Sequence, residues 1–208
     1  MQTEVRRKAE YEALRATIRE RGTARMLLAP LVFTAWAGTA IATSAIITVA
    51  VSTLLPLMVL AAGFESIYAL YMNVERIGRY LQVFHEQSDG PLADRGWEHV
   101  AMEFGARFPG GPDPLYTRLF VTTVSLNFLP VALGGSTVEI VLLAVAHILV
   151  IYRIRTAQSA ARTQRALDLE RFRVRLRRCE RQQCGDDARD LKPSHRSPPC
   201  EADIHFWV

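Results

Sequence analysis

Glu65, Glu139 and His147 are the ionisable side chains that lie within the long apolar runs of this sequence. An ionisable group inside a membrane is costly unless it is paired, so each is a candidate for function. Counted from the nearest predicted outer turn, Glu65 lies about 12 residues in and His147 about 10 residues in. Asn127 falls at a similar level. We therefore predict an intramembrane polar cluster of Glu65, Asn127 and His147, with Glu139 near the outer surface.

Two kinds of chemistry fit such a cluster. A histidine beside a carboxylate titrates near neutral pH, so the cluster could respond to protons or ions. The same groups could instead hydrogen-bond across helices and fix their packing, at about 0.6–2 kcal/mol per pair. We favour the structural role.

The longest apolar run, Met26–Met72, contains Glu65 as its only charged residue. A bilayer core about 30 Å thick needs roughly 20 residues of helix, so this run is too long for one span and suits two. We predict a hairpin of two spans, Leu27–Thr48 and Thr53–Met72. The first span carries small residues at spacings of four, Gly38 and Ala42 among them, which predicts close packing against another helix.

A second hairpin is predicted from Leu119–Leu133 and Thr137–Tyr152, joined by a turn at Gly134 and Gly135. Both segments are shorter than the ~20 residues of a perpendicular span, so a re-entrant pair is the alternative. The fold class is therefore all-α: a multi-pass membrane protein with four transmembrane helices in two hairpins and helices that extend into the cytoplasm.

Basic residues predict the orientation. The segments before the first span, between the second and third, and after the fourth carry 7, 5 and 13 Lys and Arg, which account for all 25. The outer turns carry none, so the positive-inside rule places both termini in the cytoplasm. Because 23 of the 25 are Arg in a chain rich in Ala, we expect a bacterial cytoplasmic (inner) membrane.

Charged segments outside the spans keep helical periodicity. Residues 4–21 predict a helix with a narrow apolar stripe that stops at Gly22, and the second span is expected to continue to Phe84. With a short helix at 91–108, these segments are expected to form a cytoplasmic cap. The predicted regions are 1–25 (basic helix), 26–73 (hairpin), 74–118 (cytoplasmic helices), 119–152 (hairpin), 153–184 (basic helix) and 185–208 (disordered tail).

The basic helix after the fourth span provides a contact surface for anionic partners, for which we single out Arg171, Arg175 and Arg178. Arginines at alternate positions spread around the helix and aromatic residues are scarce. Anionic lipid headgroups or an acidic protein are therefore favoured over specific nucleic acid.

No catalytic motif, phosphate-binding glycine loop or cofactor signature is evident, so no enzyme, cofactor or metal site is predicted. His99 and Glu103 share a helix face but lack a third ligand. The cysteines at 179, 184 and 200 fit no zinc spacing and are expected to be free thiols. We expect a non-enzymatic, self-associating membrane scaffold or effector that acts through its cytoplasmic helices. The alternative is a small channel or transporter that uses the Glu65, Asn127 and His147 cluster.

Overall fold

The computed structural model describes residues 2–46, 50–86, 99–101, 103 and 112–187. These residues are helical apart from short connections, and no strand occurs among them. The principal elements, in chain order, are α1 (Gln2–Ile46), a 3-10 turn (Ala50–Thr53), α2 (Leu54–Phe84), α3 (Pro112–Gly134) and α4 (Thr137–Asp187). All four α-helices are long and apolar enough to cross a membrane, which confirms the predicted all-α class and its four apolar helices.

The first helix does not stop at Gly22, contrary to the prediction, and it also runs through Pro30. A glycine inside a helix costs only about 1 kcal/mol, which packing on either side can outweigh. Arg15 forms an ion pair with Glu86, two residues past the end of α2, and Arg25 stacks on the α2 side chain Tyr71. Because α1 is held against α2 on both sides of Gly22, the helix continues through it.

Helices α1 and α2 pack closely at Gly63. A Cβ atom added to Gly63 would overlap the side chain of Val32, whereas a Cβ atom at Gly38 would meet nothing within 4 Å. The side chain of Val32 can pack against the α2 backbone here because Gly63 has no side chain. Around this contact lies the core, formed by Ala29, Val32, Leu57, Leu60, Phe64, Ile67, Phe120, Val124, Ile154 and Ala157.

The outward surfaces of the apolar segments carry large hydrophobic side chains. Leu133 is 81% exposed and Ile46 is 80% exposed. A soluble monomer seldom exposes a contiguous apolar surface of this kind, whereas lipid covers it at no cost. The same pattern recurs on the other helices, at Leu27, Leu31, Ile41, Met58, Val138, Val141, Leu142, Ile148 and Leu149.

Three helices continue together beyond the apolar segments. We call this part the stalk, defined as residues 4–25 of α1, residues 73–84 of α2 with the following residues 85 and 86, and residues 154–178 of α4. The central helix of the stalk is the end of α2, which lies between α1 and α4. It is the predicted extension of the second span to Phe84. The predicted helix at 91–108 lies almost wholly outside the described residues, as do the tail from 188 and its Cys200.

Candidate functional site

A network of hydrogen-bonded polar groups lies inside the apolar bundle. Asn127 of α3 is its centre and is 6% exposed, and His147 of α4 is 3% exposed. The Asn127 Oδ1 accepts a hydrogen bond from Trp36 Nε1 at 3.1 Å. Its Nδ2 lies 3.0 Å from the carbonyl oxygen of Thr53 and 3.1 Å from His147 Nε2. The network thus connects α1, the 3-10 turn, α3 and α4.

The chemistry of these partners sets the orientation of each group. The indole nitrogen of Trp36 can only donate and the Thr53 carbonyl can only accept, so the amide of Asn127 has one consistent orientation. Its second N–H then donates to Nε2 of His147. The other ring nitrogen, Nδ1, lies 2.7 Å from the Leu143 carbonyl and donates to it. This arrangement requires a neutral histidine, and it uses both hydrogens and the oxygen of the Asn127 amide.

Glu65 does not belong to this network. Its carboxylate pairs with Arg153 through two contacts of 2.8 Å, and both side chains are nearly half exposed. The guanidinium of Arg153 also lies 5.3 Å from the ring centre of Tyr68. Arg153 follows His147 by six residues, which is about 9 Å of helix rise. The structure therefore brings Asn127 and His147 together and places Glu65 with a different partner.

The separation of Glu65 has a physical reason. Counting inward from the turn assumed that α2 begins at the outer surface, level with the start of α4. Thr53, which precedes α2, already lies at the level of Asn127 and His147. The chain is therefore already deep in the bundle at Thr53, so every residue of α2 lies deeper than its sequence count suggests.

Glu139 caps the start of its own helix, α4. Its carboxylate accepts hydrogen bonds from the backbone N–H and the hydroxyl of Ser136, at 2.9 and 2.7 Å. The Ser136 hydroxyl lies 3.4 Å from the Glu139 N–H in return. This reciprocal pattern is a capping box, which satisfies backbone donors at the start of α4.

An aromatic and arginine layer surrounds the level where the helices leave the apolar region. The Arg25 guanidinium lies 4.8 Å from the ring centre of Tyr71 and 5.1 Å from that of Tyr116. Arg165 approaches the other side of this layer, 5.1 Å from Tyr71. Such cation–π contacts suit the headgroup level, where tyrosine and arginine each have one apolar and one hydrated part.

Ion pairs join the helices of the stalk. Asp168 on α4 is buried and accepts from Arg76 of α2 at 3.4 Å and from Gln164 at 2.9 Å. Arg165 lies 3.1 Å from the carboxylate of Glu75. Burial lowers the pKa of Arg165 from its usual value, but a guanidinium remains charged at neutral pH.

The far end of the stalk joins all three of its helices around Tyr80. Its hydroxyl donates to Glu10 of α1 at 2.7 Å, and its ring packs edge-on against Phe172 of α4. Burial, followed by the hydrogen bond to Glu10, raises the pKa of Tyr80, while the charges of Arg175 and Arg7 oppose the rise.

Arg171, Arg175 and Arg178 all lie on the exposed surface of the stalk. Their spacing of four and three residues places them along one side of α4. Arg171 makes a loose contact of 3.7 Å with Asp168 and keeps 69% of its side chain exposed. The arginine side chains that were predicted to meet an anionic partner are thus accessible to one.

Sequence reasoning missed Trp36 and Thr53 as members of the buried network. A tryptophan in the middle of an apolar segment was itself a signal, because a buried indole N–H needs an acceptor. Thr53 contributes a backbone carbonyl, for which no side-chain pattern exists.

Metal binding finds no support in the described part of the chain, where no group of three or more His, Cys, Asp or Glu could hold an ion. His99 bonds instead with Glu86, at 3.3 Å. No protein-family profile, curated protein or solved structure matches this chain.

Proposed function

We propose that this protein is a non-enzymatic scaffold or effector of the bacterial inner membrane, which acts through its stalk and associates with copies of itself. The observation that carries the proposal is continuity: α1, α2 and α4 each run from an apolar segment into the stalk as one unbroken helix. A continuous helix bundle holds its far end in a fixed position relative to the membrane. That geometry suits the display of a binding surface.

The packing of the stalk supports this role. Phe172 of α4 packs against Tyr80 and Phe84 of α2, with ring centres 5.8 and 6.3 Å apart. Arg7 of α1 donates to the carbonyl of Phe84 at 2.9 Å and so satisfies a group at the end of α2. These contacts hold the three helices together at the far end of the stalk, which a flexible tether would not require.

Charge distribution supports a cytoplasmic stalk. All 25 Lys and Arg lie on the same side of the predicted spans as the stalk, and the turns at the other end carry none. By the positive-inside rule the termini and the stalk are cytoplasmic. Little of the chain would face outward, so binding partners would come from inside the cell.

Self-association is proposed through one face of α1. Ala35, Gly38 and Ala42 lie on this face and are exposed in the monomer, and Gly38 has open space around its Cα. Small residues at spacings of three and four let two helices approach closely in lipid. Contact with lipid tails would not by itself favour small residues on this face of α1.

The closed polar network favours a scaffold over the alternative of a channel or transporter. Both amide hydrogens and the amide oxygen of Asn127 are hydrogen-bonded to protein partners, and so are both ring nitrogens of His147. A conducting site would need groups that exchange their partners with an ion or proton.

Reconstitution in liposomes tests the choice between these functions. We expect proton and ion fluxes no greater than those of empty liposomes. Fluxes above that background, lost in His147→Ala and retained in the matched variant Ser125→Ala, would establish the channel and overturn the scaffold.

Disulfide cross-linking tests self-association. In a background where the native cysteines are serine, Gly38→Cys is expected to form covalent dimers in the membrane. Val145→Cys, which is exposed on α4, serves as the matched control and should remain largely monomeric. Equal, low yields from both positions would remove self-association through α1.

A further inference from the structure

One surface of the stalk combines arginines with exposed aliphatic side chains. Leu167 and Val174 are 46% and 43% exposed, although the chain leaves the apolar segments well before them. Arg171 and Arg178 alternate with them, and all four lie on α4. We call these four residues the docking stripe.

The spacing within the docking stripe is four, three and four residues, which places its members along a single face of the helix. This spacing is the pattern by which one helix receives another in a coiled coil. The α4 face that packs on α2 is a different one, marked by the buried residues Ala157, Ala161 and Asp168. The stripe is therefore a second helix-packing surface, without a partner helix among the described residues.

The bilayer that holds the protein cannot cover the whole of this surface. Arg178 follows Arg165, which lies in the aromatic and arginine layer at the headgroup level, by 13 residues, which is about 20 Å of helix rise. Even a helix tilted by about 40° would hold Arg178 some 15 Å beyond that level. Electrostatic attraction is screened over about 8 Å at physiological ionic strength. Lipid headgroups of the same membrane therefore do not reach the far end of the stripe.

A second copy of this chain also fits poorly. In a parallel pair, Arg171 would face Arg171 and Arg178 would face Arg178, which is repulsive. In an antiparallel pair, each arginine would face an aliphatic residue and lose hydration without gaining a carboxylate. The stripe thus needs a partner that carries both negative charge and apolar side chains.

We propose that the docking stripe binds an amphipathic helix of a cytoplasmic partner protein, with aliphatic residues against Leu167 and Val174 and carboxylates against Arg171 and Arg178. Nucleic acid would satisfy the arginines but would leave both aliphatic side chains against phosphate and water. Arg175, beside the stripe, adds to the positive potential. This inference rests on the proposed scaffold function and names the chemistry of its partner.

Fluorescence anisotropy can test the proposal with the full-length protein in nanodiscs of neutral lipid. The probe is a labelled synthetic amphipathic helix of Leu and Glu. Two comparison probes are the same composition in a scrambled order and a single-stranded DNA oligonucleotide of equal charge. We expect the amphipathic helix to bind more tightly than either at physiological salt.

The variants separate the stripe from general positive charge. The double variant Arg171→Gln with Arg178→Gln is expected to weaken binding about tenfold, the effect of losing two charge pairs at an interface. The matched double variant Arg173→Gln with Arg177→Gln removes the same charge from another face, and its effect should stay below about threefold. Leu167→Gln with Val174→Gln keeps helix propensity and should weaken binding about tenfold as well.

Equal losses in the two arginine pairs would overturn the proposal, because they would indicate attraction without a defined surface. Equal binding of the scrambled peptide, or tighter binding of DNA, would overturn it in favour of a general polyanion site, and absence of binding by every probe would also overturn it. Circular dichroism of each variant checks that the helices remain. A failure here leaves the liposome and cross-linking results of the scaffold proposal unchanged, whereas flux through the protein would remove the scaffold itself.

Discussion

The bundle within the apolar segments and the stalk use polar side chains in opposite ways. In the bundle, one amide joins four elements through neutral hydrogen bonds, and the carboxylate of Glu65 is kept outside that network. In the stalk, charged pairs such as Arg76 with Asp168 join the helices. Hydrocarbon penalises a charge far more than an amide, whereas water near the stalk lowers the cost of both. The stability of the bundle should therefore be insensitive to salt, and that of the stalk should not.

The largest expected effect comes from Gly63→Ala. The new methyl group would overlap Val32, and overpacking of this kind costs roughly 1–3 kcal/mol. Unfolding in mixed detergent micelles measures the change in the free energy of unfolding. Gly38→Ala is the matched control and should be neutral or slightly stabilising, since its Cβ meets nothing. Equal stabilities of the two variants would contradict the close approach of α1 and α2.

Asn127→Ala is expected to lower the free energy of unfolding by about 1–2 kcal/mol, because the indole of Trp36 and the ring of His147 lose their partner together. The loss should be the same at low and high salt. Ser125→Ala, on the same helix, removes only a hydroxyl that bonds its own backbone and should change little. A loss from Asn127→Ala that disappears in high salt would contradict a neutral network.

Asp168→Asn keeps the shape of the side chain and removes the charge that faces Arg76 and Arg171. We expect local destabilisation of the stalk by about 1 kcal/mol at low salt, and less at high salt. Hydrogen exchange of the stalk amides measures it, since the spans need not unfold. Glu170→Gln, an exposed site on the same helix, is the control. A uniform effect on spans and stalk would show that the two parts unfold as one.

Tyr80→Phe should have the smallest effect at neutral pH, about 0.5 kcal/mol for the lost hydrogen bond to Glu10, because phenylalanine keeps the ring packing. The raised pKa of Tyr80 gives this residue a pH signature. A group whose pKa is higher when folded stabilises the protein below its unfolded pKa, about 10, and that stability is lost as the pH rises further. The native stalk should therefore lose more protection above about pH 10 than the Tyr80→Phe stalk does. Identical alkaline profiles would contradict a buried Tyr80–Glu10 contact.

Composition and periodicity alone were enough for the coarse architecture. Forty-seven residues from Met26 to Met72 with a single charge cannot fold as one span, and four apolar helices follow from the two such regions. The extension of α2 to Phe84 could also be predicted from the sequence, because an apolar stripe continued beyond the last tyrosines of the span. Hydrophobic patterning is a local property, and the sequence contains it in full.

Tertiary structure decided which polar groups meet. Asn127 and His147 met as their depths suggested, but Glu65 paired with Arg153, because Thr53, just before α2, already lies deep in the bundle. The depth of a residue in a helical hairpin depends on where its turn lies, and the packing of other helices against that turn determines this. Gly22 did not end α1 for a similar reason. Whether the helix continues at Gly22 depends on contacts of α1 with residues more than forty positions away. Local sequence determined the helices, and the contacts between them determined the partner of each polar side chain.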